Sequence, residues 1–293
     1  WNLLYNMTSK KYERDLLSLD QIEVIAADPS GFGTTNASQG TQSCPMEGTT
    51  KNLVKISSKR LTNFVLTLNC FININLASQL VSINSLRVDG DIIITDNVFQ
   101  NIDFNPCILE DQVYGTNLIR LDLFYASRPN EATSIYFISN IISSLQLFGG
   151  TELVQVVNND LIQITAPKVA LYFKYNSFEN LVLFSNYDHI LEYNSMMPIE
   201  FTENAFSEIC KGSSALISLL TPNSSIINNV FSFISANLSA TYGYGVFMID
   251  SPLTMEGEVH ATATYELTFN SNTFDTIYTM MYGIIYAEGV KLH

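Results

Sequence analysis

Acidic residues that lie close together in the sequence are the first candidates for chemistry in this chain. Hydrolysis of a glycosidic bond needs two carboxyl groups at a suitable separation. The available acids are Asp89 and Asp91 on either side of a glycine, Asp96 beside an asparagine, and Asp122. Asp89 and Asp91 would share one face of an extended strand, but the glycine between them favours a turn. We therefore predict an acidic turn at a corner of the fold and not a catalytic pair.

The histidines and cysteines do not suggest a catalytic or metal centre. His189, His260 and His293 are far apart, and the Tyr187-Asp188-His189 stretch has no nucleophile at a recognisable spacing. We expect His189 to be a surface or corner residue. The cysteine spacings do not resemble a zinc site. Acidic corners are compatible with loose Ca²⁺ binding on charge grounds, although no twelve-residue Ca²⁺ loop is present. The sequence thus predicts no catalytic, cofactor-binding or metal-ligating residue, and a protein that is not an enzyme.

Composition limits the class of protein and its partners. The 293 residues are 47% hydrophobic and 14% charged, which excludes a disordered chain. The net charge of −14 argues against binding the phosphate backbone of a nucleic acid. Because no window of about 18 residues is continuously apolar, we expect no membrane span.

A short pattern, Asn-x-Phe-x-x-Ile or a close variant, recurs along most of the chain. In each strong copy a Phe follows the Asn by two residues, and an Ile or Leu follows it by five. The six strong copies pair Asn69 with Phe71, Asn97 with Phe99, Asn176 with Phe178, Asn204 with Phe206, Asn229 with Phe231, and Asn272 with Phe274. Two weaker copies replace Phe by an aliphatic residue and begin at Asn140 and Asn159.

The segments between copies are typical of strands. They are short, rich in β-branched and aromatic residues, and bounded by Asn, Ser, Gly and Pro, as in Asp91–Thr95 and Leu161–Thr165. A unit of this size cannot bury its own apolar face, so it must stack on copies of itself. The pattern predicts a parallel β-solenoid. We expect each Asn to take a left-handed conformation at a corner and to form a hydrogen-bonded ladder, while the Phe residues fill the interior. A β-sandwich with coincidental Asn turns is the alternative.

With these repeats the chain resembles the right-handed parallel β-helix proteins of the pectin-lyase-like superfamily over roughly residues 60–290, and large repeat-built surface proteins of protists. The resemblance implies an all-β fold. A lyase of this superfamily would be expected to present an acidic Ca²⁺ cluster with a basic residue that abstracts the proton. Arg87, Arg120 and Arg128 lie in no such acidic motif, so the enzymatic signatures are absent.

The first sixty residues lack the repeat. Within them, Lys11–Ala27 has the pattern of a short amphipathic helix, and seven basic and six acidic residues give a net +1, which leaves −15 for the rest. We predict that residues 1–60 form an irregular cap, or a segment that docks on an acidic neighbouring subunit. Residues 61–293 form the β-helix.

Four cysteines and four glycan acceptor triplets suit an extracellular protein. We favour at least one disulfide involving Cys44 among Cys44, Cys70, Cys107 and Cys210. The alternative is four reduced cysteines, with Cys70 and Cys210 filling small positions in the coils. The acceptor triplets for N-linked glycans begin at Asn6, Asn36, Asn223 and Asn237. Asn36 and Asn223 are the strongest of the four.

These features favour a secreted, glycosylated structural protein of the extracellular space or cell surface. We expect it to self-associate head to tail into a fibre or coat, because heterologous contacts that do not close produce filaments. We also expect it to need no cofactor. A carbohydrate-binding adhesin is the alternative, and a polysaccharide lyase or hydrolase is less favoured.

Overall fold

The computed structural model describes a set of strands and corners that covers most of the repeat region. The described residues are 19–24, 52–61, 63–76, 79–104, 108–109, 112–113, 117–124, 133–147, 160–183, 189–212, 214–221, 223–236, 245–250, 265–278, 283–287 and 290–292. They contain no helix. Their strands are β1 (Leu19–Val24), β2 (Asn52–Ser58), β3 (Phe64–Thr67), β4 (Cys70–Leu76), β5 (Gln79–Ser85), β6 (Ile92–Thr95), β7 (Val98–Phe104), β8 (Ile108–Leu109), β9 (Gln112–Val113), β10 (Asn117–Leu123), β11 (Ser134–Ile138), β12 (Ile141–Leu147), β13 (Ile162–Thr165), β14 (Ala170–Lys174), β15 (Ser177–Leu183), β16 (Leu191–Asn194), β17 (Ile199–Thr202), β18 (Ala205–Lys211), β19 (Ile217–Leu220), β20 (Asn223–Ile227), β21 (Val230–Ala236), β22 (Phe247–Asp250), β23 (Tyr265–Asn270), β24 (Thr273–Tyr278), β25 (Ile285–Ala287) and β26 (Val290–Leu292).

Three long sheets run the length of the molecule. The first sheet has the order β1-β2-β5-β10-β13-β16-β19-β22-β25, the second β3-β6-β11-β14-β17-β20-β23-β26, and the third β4-β7-β12-β15-β18-β21-β24. Apart from β1, every strand of these sheets pairs in parallel with its neighbours, for example β15 with β18. The chain visits the sheets in turn, so each coil adds one strand to each. The predicted all-β parallel β-helix is confirmed.

The coils are interrupted by an inserted hairpin. Strands β8 and β9 pair antiparallel with each other, and with no other strand of the described part of the chain. They lie between β7 and β10. The 43-residue gap between Asn97 and Asn140 predicts an insertion over Asp103–Tyr125. Within that range, however, Asp103 belongs to β7 and Asn117–Leu123 forms β10. Insertions between coils leave the stack as loops without changing its register.

The prediction of an amino-terminal helix over Lys11–Ala27 is wrong for Leu19–Val24, the part of this stretch that the structure describes. Leu19–Val24 is strand β1, which pairs antiparallel with β2. A strand that covers the backbone edge of β2 satisfies donors and acceptors that a short helix could not reach. The parallel stack itself starts at Asn52, inside the 1–60 segment assigned to the cap.

The interior is a continuous apolar column between the three sheets. In the third sheet, stacked phenylalanine rings fill successive coils. The ring centroids of Phe178 and Phe206 lie 4.8 Å apart, and those of Phe206 and Phe231 lie 4.7 Å apart. A second stack in the second sheet joins Phe137, Phe173 and Phe201 at 4.9 and 5.1 Å. Nearly parallel rings at this spacing follow from the distance of about 4.8 Å between strands.

The asparagines form the expected ladder at the corner between the second and third sheets. The side-chain Nδ2 of each donates to Oδ1 of the next at 2.9 to 3.2 Å, and the backbone amide donates to the same oxygen. The rungs are Asn69, Asn97, Asn140, Asn176, Asn204, Asn229 and Asn272. Asn140, a weak copy by sequence, is therefore a full rung. The stretch after Asn159 belongs elsewhere, because Ile162–Thr165 is a strand of the first sheet; Asn159 itself lies outside the described residues.

The left-handed residue at this corner precedes the asparagine, contrary to the expectation that the asparagine takes this conformation. The seven positive-φ residues are Leu68, Asp96, Ser139, Tyr175, Glu203, Asn228 and Ser271, with φ from 54° to 58°. This turn points the asparagine side chain inward, where its amide faces the next coil. A non-glycine residue in this region costs about 1 kcal/mol, and the ladder hydrogen bonds offset that cost.

A second left-handed residue lies within six of the seven third-sheet strands, β7 to β24, four residues after the asparagine: Asn101, Ser144, Asn180, Glu208, Phe233 and Thr276. In a regular strand, side chains three residues apart point to opposite faces. The bend at the fourth position corrects this, so that Phe178 and Leu181 are both buried. The spacing of the Asn-x-Phe-x-x-Ile repeat depends on this bend.

Candidate functional site

Three ionisable side chains meet at the corner that leads into the first sheet. Asp160 and His189 each lie two residues before a first-sheet strand, β13 and β16, and Glu192 is the second residue of β16. His189 Nδ1 lies 2.7 Å from Asp160 Oδ1, and the His189 backbone amide donates to the same oxygen at 3.1 Å. One ligand atom from each of the three side chains lies within 4.8 Å of the others.

Parallel register brings these residues together. Gln163 pairs with Glu192, and Glu192 with Ser218, so their side chains form one row on the outer face of the first sheet. Gln163 Nε2 donates to Glu192 Oε1 at 3.4 Å. On the other side, Asn117 Nδ2 donates to the backbone oxygen of Asp160 at 2.5 Å. The cluster is therefore held by side chains from three successive coils.

Burial sets the electrostatics of the cluster. Asp160 is fully buried, and the His189 side chain is 12% exposed. The pKa of Glu192 is raised from 4.5 to about 7: desolvation by burial is the largest cause, the charge of Asp160 acts in the same direction, and His189 opposes the shift. Two carboxyl groups that share so little water disfavour being charged together. A proton or a cation between them would relieve the repulsion.

Three buried oxygen atoms around this cluster have no hydrogen-bonding partner among the described residues. They are Asp160 Oδ2, Gln163 Oε1 and Ser218 Oγ. Buried polar atoms normally find a partner. An imidazole, two carboxylates and an amide oxygen form a donor set that can hold a metal ion or share a proton, and these residues are the ones that could hold a cofactor.

The acids singled out by sequence do not form such a group. Asp89 pairs with Arg60 and with Arg87, whose Nε lies 2.7 Å from Asp89 Oδ1. Asp91 accepts the Ser134 backbone amide at 3.1 Å. Both acids therefore hold corners together. The Asp122 carboxylate pairs with Arg120 at 2.8 Å.

The cysteines and glycan acceptors are only partly described. Cys70 and Cys210 carry free thiols, the first exposed and the second half-buried, so neither belongs to a disulfide. They lie on β4 and β18, four strand spacings or roughly 19 Å apart. The exposure of Cys70 also excludes it as an interior residue. Asn223 is exposed at the start of β20. Cys44, Cys107, Asn6, Asn36 and Asn237 lie outside the described residues.

Sequence reasoning missed the Asp160, His189 and Glu192 cluster, and it treated His189 as an isolated corner residue. A signal does exist in the spacing, because Asp160 to His189 and Gln163 to Glu192 are both 29 residues apart. Equal offsets mark equivalent positions on adjacent coils. They become visible only after the coil length at this point is known.

Comparisons with protein-family models, with curated proteins and with solved structures found nothing that matches this chain. The class of protein is therefore defined by the geometry of the chain: it is a parallel β-helix of three sheets with an internal asparagine ladder. No helix able to cross a membrane is found in the part of the chain that the structure describes.

Proposed function

We propose that the protein is a secreted, glycosylated structural β-solenoid whose copies join end to end in an extracellular fibre or surface coat. The observation that carries this proposal is the chemical difference between the two ends of the ladder. Such a difference favours contact between unlike ends, and contacts of this kind do not close into a symmetric dimer.

Among the described residues, the ladder ends in an open acceptor at one end and an open donor at the other. Each rung donates its backbone amide toward the carboxy-terminal end, as Asn229 donates to Asn272 at 2.9 Å. No described residue accepts the backbone amide of Asn272, and none donates to Oδ1 of Asn69. The two ends of one chain are thus complementary to the opposite ends of another.

The carboxy-terminal coil leaves part of the interior uncovered. Phe274 stacks on Phe231 at 5.1 Å, but it is only half-buried, whereas Phe231 and Phe206 are at most 1% exposed. The other half-buried core residues of this end are Phe269, Ile277, Ile284 and Ile285. An apolar end face beside open strand edges is a surface on which another coil can add.

Charge supports the same orientation. Residues 1–60 carry a net +1 and the remainder −15. Lys55 and Lys59 are exposed on the first coil, and Asp275 is exposed on β24, the last strand of the third sheet. Opposite charge at the two ends favours encounter in one orientation and makes assembly sensitive to salt.

The architecture fits the resemblance to pectin-lyase-like β-helices and to protist surface proteins. A stack of parallel coils is stiff along its axis because every coil is hydrogen-bonded to the next. The exposed Asn223 is a place where a glycan would not disturb the core. We propose an extracellular or cell-surface location on these grounds, with no cofactor required for assembly.

The test is assembly of the chain secreted from a eukaryotic host. Electron microscopy and sedimentation velocity should reveal filaments whose length grows with protein concentration and falls with salt. Phe274→Glu places a charge on the apolar end face and should abolish filaments, while the matched variant Phe274→Leu keeps them.

A second pair of variants tests the amino-terminal end. Lys55→Glu should slow assembly, whereas Lys168→Glu, an exposed lysine in a turn midway along the stack, should not. Circular dichroism establishes that each variant is folded. Dispersed monomers at every concentration, or filaments that are indifferent to Phe274→Glu, would rule out joining through these ends.

A further inference from the structure

We propose that Asp160, His189 and Glu192 bind a divalent transition-metal ion at the corner that leads into the first sheet. The inference goes beyond the structural function proposed above and does not depend on it. It rests on the donor atoms, their distances and the buried oxygens around them.

The three side chains have the donor types that a metal ion requires, and small side-chain movements would bring their donor atoms to the separations found around a bound ion. Zinc and similar ions bind imidazole nitrogen and carboxylate oxygen at about 2.0 to 2.2 Å, which places neighbouring donors about 3.0 to 3.5 Å apart. The three ligand atoms here lie within 4.8 Å of one another. His189 Nδ1 and Asp160 Oδ1, at 2.7 Å, need to separate by only a few tenths of an ångström. The metal would replace the hydrogen bond between them.

The unpartnered oxygens are the second, independent observation. Asp160 is 0% exposed and Gln163 is 9% exposed, yet Asp160 Oδ2 and Gln163 Oε1 have no donor among the described residues. The Gln163 amide already reaches the cluster, because its Nε2 donates to Glu192. Leaving such atoms unpaired costs about 1–3 kcal/mol each. A cation with bound water satisfies them.

The backbone around the site restricts its movement. Asp160 and His189 sit at the corner on successive coils, where the His189 amide donates to Asp160 Oδ1. Glu192 projects from β16, whose register with β13 is continuous over four residue pairs. A metal ion would therefore join two adjacent coils.

The ligand set indicates the class of metal. Ca²⁺ and Mg²⁺ prefer sites made of oxygen only, whereas Zn²⁺, Mn²⁺ and Co²⁺ accept imidazole together with carboxylates. A formal charge of −2 from Asp160 and Glu192 balances one divalent ion. We therefore expect Zn²⁺ to bind and Ca²⁺ at the same concentration to bind more weakly.

The experiment uses the full chain, stripped of metal with EDTA and dialysed. Calorimetric titration with ZnCl₂ at neutral pH should give one ion per chain, and the melting temperature should rise with Zn²⁺ more than with Ca²⁺ or Mg²⁺. Co²⁺ serves as a spectroscopic probe, since its visible absorption reports nitrogen and oxygen ligation.

The decisive variants are His189→Gln and Glu192→Gln, which keep side-chain volume and avoid the fully buried Asp160. Each should weaken Zn²⁺ binding by at least about tenfold and change the Co²⁺ spectrum. Asp122→Asn is the matched control, because Asp122 lies on the same sheet and pairs with Arg120; it should leave binding unchanged.

Two results would overturn the proposal. The first is the absence of saturable Zn²⁺ or Co²⁺ binding to the folded wild-type chain. The second is equal binding by wild type, His189→Gln and Glu192→Gln, which would place any bound ion elsewhere.

Discussion

Asn204 Oδ1 accepts two hydrogen bonds from the preceding rung, one from the Asn176 backbone amide at 3.0 Å and one from Asn176 Nδ2 at 3.0 Å. Asn176 Nδ2 also donates to the Phe137 backbone oxygen at 2.9 Å. The buried side chain of Asn176 thus connects its own coil to the coils on both sides. It satisfies backbone groups at a corner that no strand can reach.

Replacing a middle rung should therefore be costly. Asn176→Ala removes the acceptor of the Asn140 backbone amide and the donor to Phe137, so we expect a loss of about 2–4 kcal/mol of unfolding free energy. Urea denaturation measures it. Asn84→Ala, an exposed asparagine on β5, is the control and should change stability by less than about 0.5 kcal/mol. Equal effects of the two variants would contradict the structural importance of the ladder.

A phenylalanine in the middle of the stack should contribute more to the free energy of unfolding than one at the end. Phe206 lies between two rings and is 1% exposed, so Phe206→Ala should cost about 3–5 kcal/mol. Phe274 has a ring on one side and is half-buried. Phe274→Ala should cost roughly half as much, provided the protein is measured as a monomer. A loss below about 1 kcal/mol for Phe206→Ala would count against an interior stack.

One exposed aromatic residue is poorly matched to its backbone. Phe233 has φ 54° and is 57% exposed, whereas Asn occupies the equivalent bend at two other coils. Among residues other than glycine, Asn tolerates the left-handed conformation best. Phe233→Asn should therefore raise the free energy of unfolding by about 0.5–1 kcal/mol. Val230→Asn on the same strand has ordinary φ and should not. Thermal melts of the two variants decide between these outcomes.

Lys211 should make the stability of the folded protein depend on pH in the alkaline range. It continues the inward row of Leu147 and Leu183, and its Nζ donates to the backbone oxygens of Gly212 and Ser214 at 3.2 and 2.6 Å. Burial lowers the pKa of Lys211 from 10.5 to about 8. Between these values the unfolded chain binds more protons, so wild-type stability rises with pH relative to a variant without the charge.

The test compares wild type with Lys211→Met across this range. The melting temperature of wild type relative to Lys211→Met should rise between pH 8 and 10.5. Lys174→Met is the control, because Lys174 pairs with Glu200 on the outer face. If the difference in melting temperature between wild type and Lys211→Met does not change with pH over this range, Lys211 does not titrate inside the fold.

Glu192 should act in the opposite sense at lower pH. Its pKa is raised from 4.5 to about 7, so between these values the folded state holds a proton that the unfolded state has lost. Stability therefore falls as pH rises through this window. In EDTA-treated protein, the melting temperature of Glu192→Gln relative to wild type should rise from pH 4.5 to 7. A constant difference would mean that Glu192 ionises normally.

Much of the fold was accessible from the sequence because each coil solves the same local problem. An Asn at the corner and an aliphatic residue five later recur at every strand of the third sheet, with a Phe two residues after the Asn at all of them except β12, where Ile142 takes its place. Asn69, Asn97 and Asn204 could be assigned to one ladder on that basis. The choice of Asn140 over Asn159 could not, because both follow the pattern loosely and only the pairing of strands distinguishes them.

The position of the left-handed residue also could not be predicted from the sequence. The types at this corner range from Leu68 to Glu203, so no preference for glycine or asparagine reveals the turn. The second ring stack, Phe137 to Phe201, was likewise missed. Each of its members lies three residues before a rung of the ladder.

The sequence by itself determined the class of fold, the ladder and one interior stack, because these follow from periodic side chains. The tertiary structure decided which atoms meet across coils of unequal length. Ladder neighbours are 25 to 43 residues apart, so insertions shift one coil against the next in sequence while hydrogen bonding keeps them aligned in space. Asp160, His189 and Glu192 come together by that alignment, which no local pattern records.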